Sequence, residues 1–271
     1  MRIVTLIENT PGVPGCAHEH GLSLYVETGR HTLLMDTGAT GAFAANAAVL
    51  GLDLGRVDTI VLSHGHYDHA GGLLQAAALA PGARIYMQRG AAGEFFHGER
   101  YIGIDKAILE LPGLRLLDGD CRLDEELFLF AGITGRRFWP RSNRELSVRR
   151  ADGSRVQDDF AHEQCLVVCQ GGRHILLSGC AHNGILNILD RYRALFGAGP
   201  DVVVSGFHMK QAGPYTGAEW QTIEQTARAL QAYRHTQFYT GHCTGRPAQE
   251  RLQQILGDQL RALHSGEELA L

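Results

Sequence analysis

A chain of 271 residues, 44% of them hydrophobic and 7% aromatic, is long enough to bury a sizeable core in one domain or two closely packed halves. Its net charge of -4 and pI near 6.4 give no general attraction to nucleic acid or to an anionic membrane, so neither is expected as a partner. No apolar run approaches the roughly 20 residues of a bilayer-spanning helix. The opening MRIVTLIE lacks the pattern of a signal peptide, so we expect a cytoplasmic protein whose six cysteines are thiols.

The first half predicts three strands, a helix and then a buried strand that ends in a polar motif. RIVTLIE, LSLYVET and TLLMDTG have the composition of strands, with a tight turn at Gly29 and Arg30. GAFAANAAVLGL is a predicted helix and RVDTIVLS a buried strand; a helix over about 72–80 then precedes the strand ARIYM. From about residue 88 to 160 the pattern is less regular and rich in arginine.

The second half repeats this order. CLVVCQ and HILLSG predict a hairpin turning at Gly171 and Gly172. NGILNILDRYRALF and GAEWQTIEQTARALQAY are predicted helices, DVVVSG and TQFYTG predicted strands, and RPAQERLQQILGDQLRALH a last helix. The alternation indicates an α/β protein with two β-sheets packed face to face and helices on the outer faces.

The segment LSHGHYDHAGG places three histidines and an aspartate just past a buried strand. In an extended segment His64 and His66 project to the same side, whereas Asp68 and His69, at the turn into the next helix, can serve a second ion close by. Imidazole and carboxylate ligands suit zinc, with manganese or iron as alternatives. The motif therefore predicts a metal site at a strand end, where α/β sheets carry their sites.

Three other predicted strands also end in metal-binding residue types. Cys180 and His182 follow HILLSG, His208 follows DVVVSG and His242 follows TQFYTG. We predict Cys180, His182 and His242 as ligands and His208 as a residue beside the metals. Cys243, next to a predicted ligand, should point away from the metals, either into the core or against the residues that surround the ligands.

LSHGHYDHAGGL is similar to the HxHxDH signature of the metallo-β-lactamase superfamily. HGLSLYVETG, DTGATGAF, HEQCLVV, SGCAHNGILNI, SGFHM and GHCTG follow in the order of the subgroup named for 7,8-dihydropterin-6-yl-methyl-4-(β-D-ribofuranosyl)aminobenzene 5′-phosphate synthase. The resemblance spans nearly the whole chain and is weakest over about 88–155. It implies a single domain, 1–271, folded as an αββα four-layer sandwich, with a substrate-covering segment at about 88–160.

The resemblance also implies how the ligands are shared between two divalent ions. His64 and His66 match the first ion's ligands, and Asp68, His69 and His242 match the second ion's side. Two positions depart from the family pattern. Cys180 stands where most members have a bridging aspartate, and the usual third histidine of the first ion is missing. His182 or His162 can replace that histidine, and we favour His182.

With this architecture the expected reaction is hydrolysis of a small anionic ester, lactone or phosphodiester by a metal-activated hydroxide. Asp68 would ligate and orient that hydroxide, and His208 would protonate the leaving group, as would His182 if it is not a ligand.

Each of two further stretches has a structural and a functional interpretation. CAHEHG, with Cys16, His18 and His20, has a spacing that metal ligands can show, but we favour a polar hairpin loop. In the subgroup this loop lies near the pocket. GRRFWPRSNRELSVRR is either a solvated face or a lid that clamps an anionic, aromatic substrate. The residues predicted to contact substrate are Glu19, His20, Arg136, Arg137, Trp139 and His162, with Arg141 and Phe138 as further members of the lid.

Two alternatives to hydrolysis stay open. One is a synthase that joins a pterin to a ribofuranosylaminobenzene phosphate, as the subgroup's name implies. The other is a non-hydrolytic protein that uses metal for redox chemistry or ligand sensing. A redox di-iron site in this superfamily usually has a glutamate at the position of His66, which argues against redox chemistry.

Overall fold

The structure, a computed structural model, describes residues 1–271 and contains 17 strands and six helices. The strands are β1 (Arg2–Ile7), β2 (Ser23–Glu27), β3 (Thr32–Met35), β4 (Thr59–Val61), β5 (Arg84–Gln88), β6 (Glu94–His97), β7 (Arg100–Tyr101), β8 (Leu114–Leu117), β9 (Cys121–Arg122), β10 (Leu127–Phe130), β11 (Leu146–Arg149), β12 (Arg155–Gln157), β13 (Cys165–Gln170), β14 (Arg173–Leu177), β15 (Val202–Val204), β16 (Gln237–Thr240) and β17 (Leu260–Ala262). The helices are α1 (Ala42–Val49), α2 (Tyr67–Ala70), α3 (Leu73–Leu79), α4 (Ile185–Phe196), α5 (Gly217–Leu230) and α6 (Arg246–Leu256). None of them combines the length and hydrophobicity that crossing a membrane requires.

Two large sheets form the centre of the molecule. The first has the order β1-β2-β3-β4-β5-β8 and the second the order β17-β16-β15-β14-β13-β10-β9. In the first sheet β1, β2 and β3 are antiparallel, and β3, β4, β5 and β8 run parallel. In the second, β10, β13 and β14 are antiparallel, and β14 to β17 run parallel. Each sheet therefore ends in parallel strands whose carboxyl ends lie at one edge.

The strands carry apolar residues on both faces because both faces are covered. In β13, Leu166 and Val168 enter the core between the two sheets, whereas Cys165 and Val167 face helices. This alternation follows from the two-residue repeat of a strand. Helices α1 and α3 pack on the first sheet, and α4, α5 and α6 on the second. The predicted αββα sandwich is thus confirmed.

Of the local predictions in the second half of the chain, the hairpin is confirmed and the last helix is not. The predicted hairpin is confirmed, because β13 and β14 pair antiparallel across Gly171 and Gly172, which adopt φ of 61° and 76°. The prediction of one long last helix is wrong. Helix α6 ends at Leu256, because Gly257 takes φ 54°, and the chain then forms β17 beside β16.

The segment at about 88–160 is more ordered than its composition indicated. It contributes β8 to the first sheet, β9 and β10 to the second, and a third sheet of order β12-β11-β6-β7. The third sheet covers a small cluster of Phe95, Ile102, Leu146 and Phe160. Its strands are short and pair across about fifty residues, for example Val148 with Phe95, so no local pattern marks them.

The core between the sheets should dominate stability. Leu166→Ala removes a fully buried side chain from that core, and we expect it to lower the free energy of unfolding by about 2–5 kcal/mol. Leu79→Ala, at a position that is 42% exposed, is the matched control and should change it by about 0.5 kcal/mol or less. Urea unfolding at fixed zinc concentration measures both. Equal effects of the two substitutions would contradict this description of the core.

Candidate metal centre

The predicted ligands lie at the carboxyl ends of neighbouring strands. The HGHYDH motif follows β4 and runs into α2, while Cys180 and His182 follow β14. His208 follows β15 and His242 follows β16. Because these strands are parallel within their sheets, their ends bring the side chains to the edge where the two sheets meet.

Three buried histidines form the first group, made of His64, His66 and His182. Nε2 of His64 lies 3.2 Å from Nε2 of His182. Two imidazole nitrogens that bind one tetrahedral zinc ion lie about 3.3 Å apart, from bond lengths of 2.0–2.1 Å. Nε2 of His66 is buried and has no hydrogen-bond partner in the protein. A buried nitrogen of this kind needs a partner, and a metal ion fits the requirement.

The second group consists of Asp68, His69 and His242. Nε2 of His69 lies 3.2 Å from Nε2 of His242, which in turn lies 3.3 Å from Oδ2 of Asp68. These separations also match the edges of a tetrahedral ligand set. The residues of both groups fit two adjacent divalent ions.

Cys180 faces both groups. Its Sγ lies 3.2 Å from Nε2 of His69 and, with His64 and His69, belongs to a set of ligand atoms within 4.8 Å of one another. The rings of His64 and His69 are themselves 4.3 Å apart. A sulfur at this position would be available to an ion held by either group.

In four of the five histidines of the two groups, Nδ1 lies within hydrogen-bonding distance of an oxygen atom. Nδ1 of His64 bonds to Oγ of Ser63 at 2.8 Å, and Nδ1 of His69 to Oδ2 of Asp36 at 2.6 Å. The remaining two bonds join His182 to Asn143 at 3.0 Å and His242 to Asn9 at 2.8 Å. Such partners orient a ring and leave Nε2 for the metal.

Backbone strain concentrates around the same edge. Asp36, Ala181, His208 and His242 adopt φ between 47° and 60°, a region that residues other than glycine seldom enter. Strain of this kind persists only where surrounding contacts enforce it, and it clusters at functional sites. The four strand ends are therefore held in place at an energetic cost.

Burial sets the charge states of the metal-free site. It lowers the pKa of His66 to about 3 and that of His64 and His182 well below the ordinary value, so these rings are neutral and ready to bind metal. Burial opposes charge on His69 as well, but the Asp36 carboxylate raises the pKa of His69 to about 9. A metal ion at Nε2 would take the place of the His69 proton.

The carboxyl and thiol groups respond differently. Burial would raise the pKa of Asp68, yet the nearby imidazoles of His242 and His69 hold it below its usual range. Burial raises the pKa of the Cys180 thiol. Coordination is what would hold this sulfur as a thiolate.

A cleft of about 350 Å³ opens beside the two groups. His208 lines it with its ring centroid 4.1 Å from that of His182, and its buried Nδ1 has no partner. His20 also lines the cleft. Cys243, predicted to lie in the core or around the ligands, is buried and forms part of the cleft wall.

Two predicted substrate contacts have structural roles instead. Glu19 does not line the cleft, because its carboxylate accepts hydrogen bonds from the backbone of Ala39 and from Thr40. His162 is buried; its Nδ1 accepts from the Gly65 N–H and its Nε2 pairs with Asp158. Both side chains thus have partners within the protein, and neither lines the cleft.

The arginine-rich segment borders the cleft through Arg141, one of the three arginines predicted to contact an anionic substrate, whereas Arg136, Arg137 and Trp139 do not line it. Arg136 binds the side-chain oxygen of Asn183, and Arg137 pairs with Asp190 on helix α4. Trp139 packs in the small cluster with Phe160. Neighbouring side chains in an irregular segment diverge, so composition did not indicate which one faces the site.

Several supporting residues escaped the sequence analysis. Asp36, Asn9, Asn143 and Glu163 contact ligands or the loops that carry them. Only Asp36 had a usable signal, since it stands directly after β3, the parallel neighbour of the strand that precedes the motif.

Fold and site together define a class of protein. The sequence model that describes the metallo-beta-lactamase superfamily matches residues 18–149. The crystal structure of Tm1679, a metal-dependent hydrolase of the beta-lactamase superfamily, is 30% identical, with a TM-score of 0.85 over 100% of this chain and 99% of that one. The chain belongs to the metallo-β-lactamase superfamily, whose members usually bind divalent metal ions, so the resemblance seen in the motifs is confirmed.

Two relatives come from Methanocaldococcus jannaschii. The uncharacterized protein MJ0448 is 27% identical over 93% of this chain and 94% of its own. The second is 7,8-dihydropterin-6-methyl-4-(β-D-ribofuranosyl)-aminobenzene-5′-phosphate synthase, which is 26% identical over 98% of this chain and 95% of its own. YhfI from Bacillus subtilis, at 12% identity and a TM-score of 0.55, shares the fold.

Asp36 should control metal affinity without touching a metal. In Asp36→Asn one acceptor oxygen becomes an N–H₂ donor, which opposes the N–H of Ser63 if it replaces Oδ1 or that of His69 if it replaces Oδ2, and we expect zinc affinity to fall about 10–100-fold. Asp58→Asn is the matched control, because Asp58 also binds a histidine, His31, away from the site. Competition with a chromophoric chelator measures the affinity. An unchanged affinity in Asp36→Asn would count against this role.

Cys180 should contribute to metal binding. We expect Cys180→Ala to lose affinity for at least one of two zinc ions, seen as zinc content after gel filtration at limiting zinc. Cys165→Ala removes an equally buried thiol from the helix-facing core and should keep both ions. Full zinc content in Cys180→Ala would refute the assignment.

Proposed function

We propose that this protein is a metal-dependent hydrolase that holds two divalent ions, zinc in the first instance, and acts on a small anionic ester, lactone or phosphodiester. The observation that carries the proposal is the pair of adjoining ligand groups, each with Nε2 atoms at the spacing of a tetrahedral ion. A nearby thiol favours zinc over manganese or iron, because sulfur ligands suit softer ions.

When bound, the two ions would supply an activated water and neutralise the charge that develops during attack. Asp68 lines the cleft and would help to orient that water as well as hold the second ion. His208, whose buried Nδ1 lacks a partner, would protonate the leaving group. The site then needs no serine or cysteine nucleophile.

Unpaired basic side chains support the proposal that the substrate is anionic. Arg100, Arg141 and Lys210 line the cleft, and none of them forms an ion pair within the protein. Unpaired basic side chains around one opening attract and orient an anionic group. The only carboxylates in the wall besides Asp68 are already engaged, Glu145 by His97 and Glu219 by the Thr216 cap.

A narrow apolar slot continues from the cleft. It shares Arg141 and Ser142 with the cleft and is walled by Phe138, Met209 and Tyr215. With an accessible volume of about 30 Å³, this slot is too small for an aromatic ring, so a ring attached to an anionic group at Arg141 would lie in the cleft itself.

One relative supports a second candidate function. The relative from M. jannaschii named as a synthase joins a dihydropterin to a ribofuranosylaminobenzene phosphate, according to its name. A condensation needs room for two substrates, and the cleft of about 350 Å³ would have to hold both of them. Product analysis after incubation with an activated dihydropterin and the aminobenzene phosphate distinguishes this reaction from hydrolysis.

The proposed function is tested with zinc-loaded protein and probes of each class: bis(4-nitrophenyl) phosphate, 4-nitrophenyl acetate and an acyl homoserine lactone. We expect turnover that disappears on chelation and returns with zinc. Absence of turnover on all probes, with two zinc ions bound, would overturn hydrolysis as the function.

Arg141 should govern recognition of the anion. We expect Arg141→Ala to raise KM for bis(4-nitrophenyl) phosphate about tenfold, because a charge-assisted contact is lost, and to leave KM for neutral 4-nitrophenyl acetate unchanged. Arg137→Ala is the matched control, since Arg137 pairs with Asp190 outside the cleft. If Arg137→Ala has the same effect, the anion site is not at Arg141.

A further inference from the structure

Two histidines of the site lie side by side and share one amide. The rings of His20 and His242 are stacked with centroids 4.9 Å apart. Nε2 of each faces Oδ2 of Asp68, at 3.4 Å for His20 and 3.3 Å for His242. By distance alone, both are candidates to bind a metal ion together with Asp68. The hydrogen bonds of Asn9 separate them.

Backbone groups fix the orientation of the Asn9 amide. Its Oδ1 accepts a hydrogen bond from the N–H of Gly21 at 3.3 Å, and its Nδ2 donates to the carbonyl oxygen of His242 at 3.3 Å. A backbone N–H only donates and a carbonyl only accepts. The flipped amide would set donor against donor and acceptor against acceptor, so the orientation is not ambiguous.

The fixed amide imposes opposite tautomers on the two rings. Oδ1 of Asn9 lies 2.8 Å from Nδ1 of His242, so that nitrogen carries a proton and Nε2 keeps its lone pair. Nδ2 of Asn9 lies 3.3 Å from Nδ1 of His20, so that nitrogen must accept. The proton of neutral His20 therefore resides on Nε2.

We infer that Asn9 gives the two histidines different roles: His242 binds metal through Nε2, and His20 is a catalytic N–H donor to the substrate. The side chain of His20 is 48% exposed and lines the cleft. Its Nε2 lies near Asp68 but forms no hydrogen bond in the protein. The N–H can therefore reach the substrate oxygen on which negative charge develops, as donors of an oxyanion hole do. The substrate contact rests on the proposed function, whereas the tautomers do not.

Nitrogen NMR tests the tautomers directly. Long-range ¹H–¹⁵N spectra of labelled, metal-free protein at about pH 8, above the ordinary histidine pKa, show which ring nitrogen carries the proton. The signals that vanish in His20→Gln identify His20. We expect the proton on Nε2 of His20 and on Nδ1 of His242. A proton on Nδ1 of His20 would overturn the inference.

Zinc binding tests whether His20 is a ligand. We expect His20→Ala and His20→Gln to keep two zinc ions with unchanged affinity in a chelator competition, whereas His242→Gln loses one ion. Loss of an ion in His20→Ala would show that His20 ligates after all.

A substitution at Asn9 should switch His20. An aspartate there only accepts, so Nδ1 of His20 must donate and Nε2 gains a lone pair that faces Asp68. We expect Asn9→Asp to move the His20 proton to Nδ1 and to bind zinc more tightly than the double variant Asn9→Asp/His20→Gln, which carries the same added charge. Equal affinities, with the proton still on Nε2, would refute the role of Asn9.

Kinetics test the substrate contact. On whichever probe is hydrolysed, we expect His20→Ala to lower kcat about 10²-fold and His20→Gln, which retains an N–H donor, to recover part of the loss. Wild-type kcat in His20→Ala would overturn the contact. If no probe is hydrolysed, the proposed function fails, while the spectra and the zinc titrations still decide the tautomers.

Discussion

The site depends first on the buried carboxylate of Asp36. Its Oδ1 accepts from the N–H of Ser63, and its Oδ2 accepts from Oγ of Ser63 and from Nδ1 of His69. Oγ of Ser63 in turn accepts from Nδ1 of His64. An unpaired carboxylate at 0% exposure would be prohibitively costly, and these donors are what make its burial possible. One group thereby orients a ligand in each of the two metal groups.

The geometry of Asp36 follows from the first sheet. Strand β3 pairs in parallel with β4, with Met35 opposite Val61, so the residues just past both strand ends are neighbours. The N–H of Asp36 continues this pairing by donating to the carbonyl of Val61. The left-handed φ of 60° at Asp36 then turns its side chain towards the motif, a conformation that aspartate tolerates better than most residues. The register of β3 against β4 thus determines where Asp36 lies, and Asp36 determines where the imidazole nitrogens of the motif lie.

Two further buried carboxylates do the same for the second sheet. Glu163 accepts from the N–H groups of His182 and Asn183, and burial raises the pKa of Glu163. Glu8 accepts from the N–H of His242 and from Thr10. In each case the carboxylate binds the backbone of a ligand-bearing loop rather than a metal. These hydrogen bonds fix the backbone of the loops that carry the ligands and so help to preorganise the ligand positions.

The sequence by itself determined the layered fold and where to look for the site. Strand periodicity placed polar residues at the ends of core strands, and the HGHYDH spacing pointed to metal, because both signals are local. Tertiary structure decided the rest. The sequence alone does not distinguish His162 from His182 as a metal ligand. In the structure His162 faces Asp158, whereas His182 faces His64. Asn9 and His242 are separated by 233 residues, and no local pattern can encode a contact of that range. The same physical reason hid the third sheet, whose short strands acquire their structure only by pairing with distant segments.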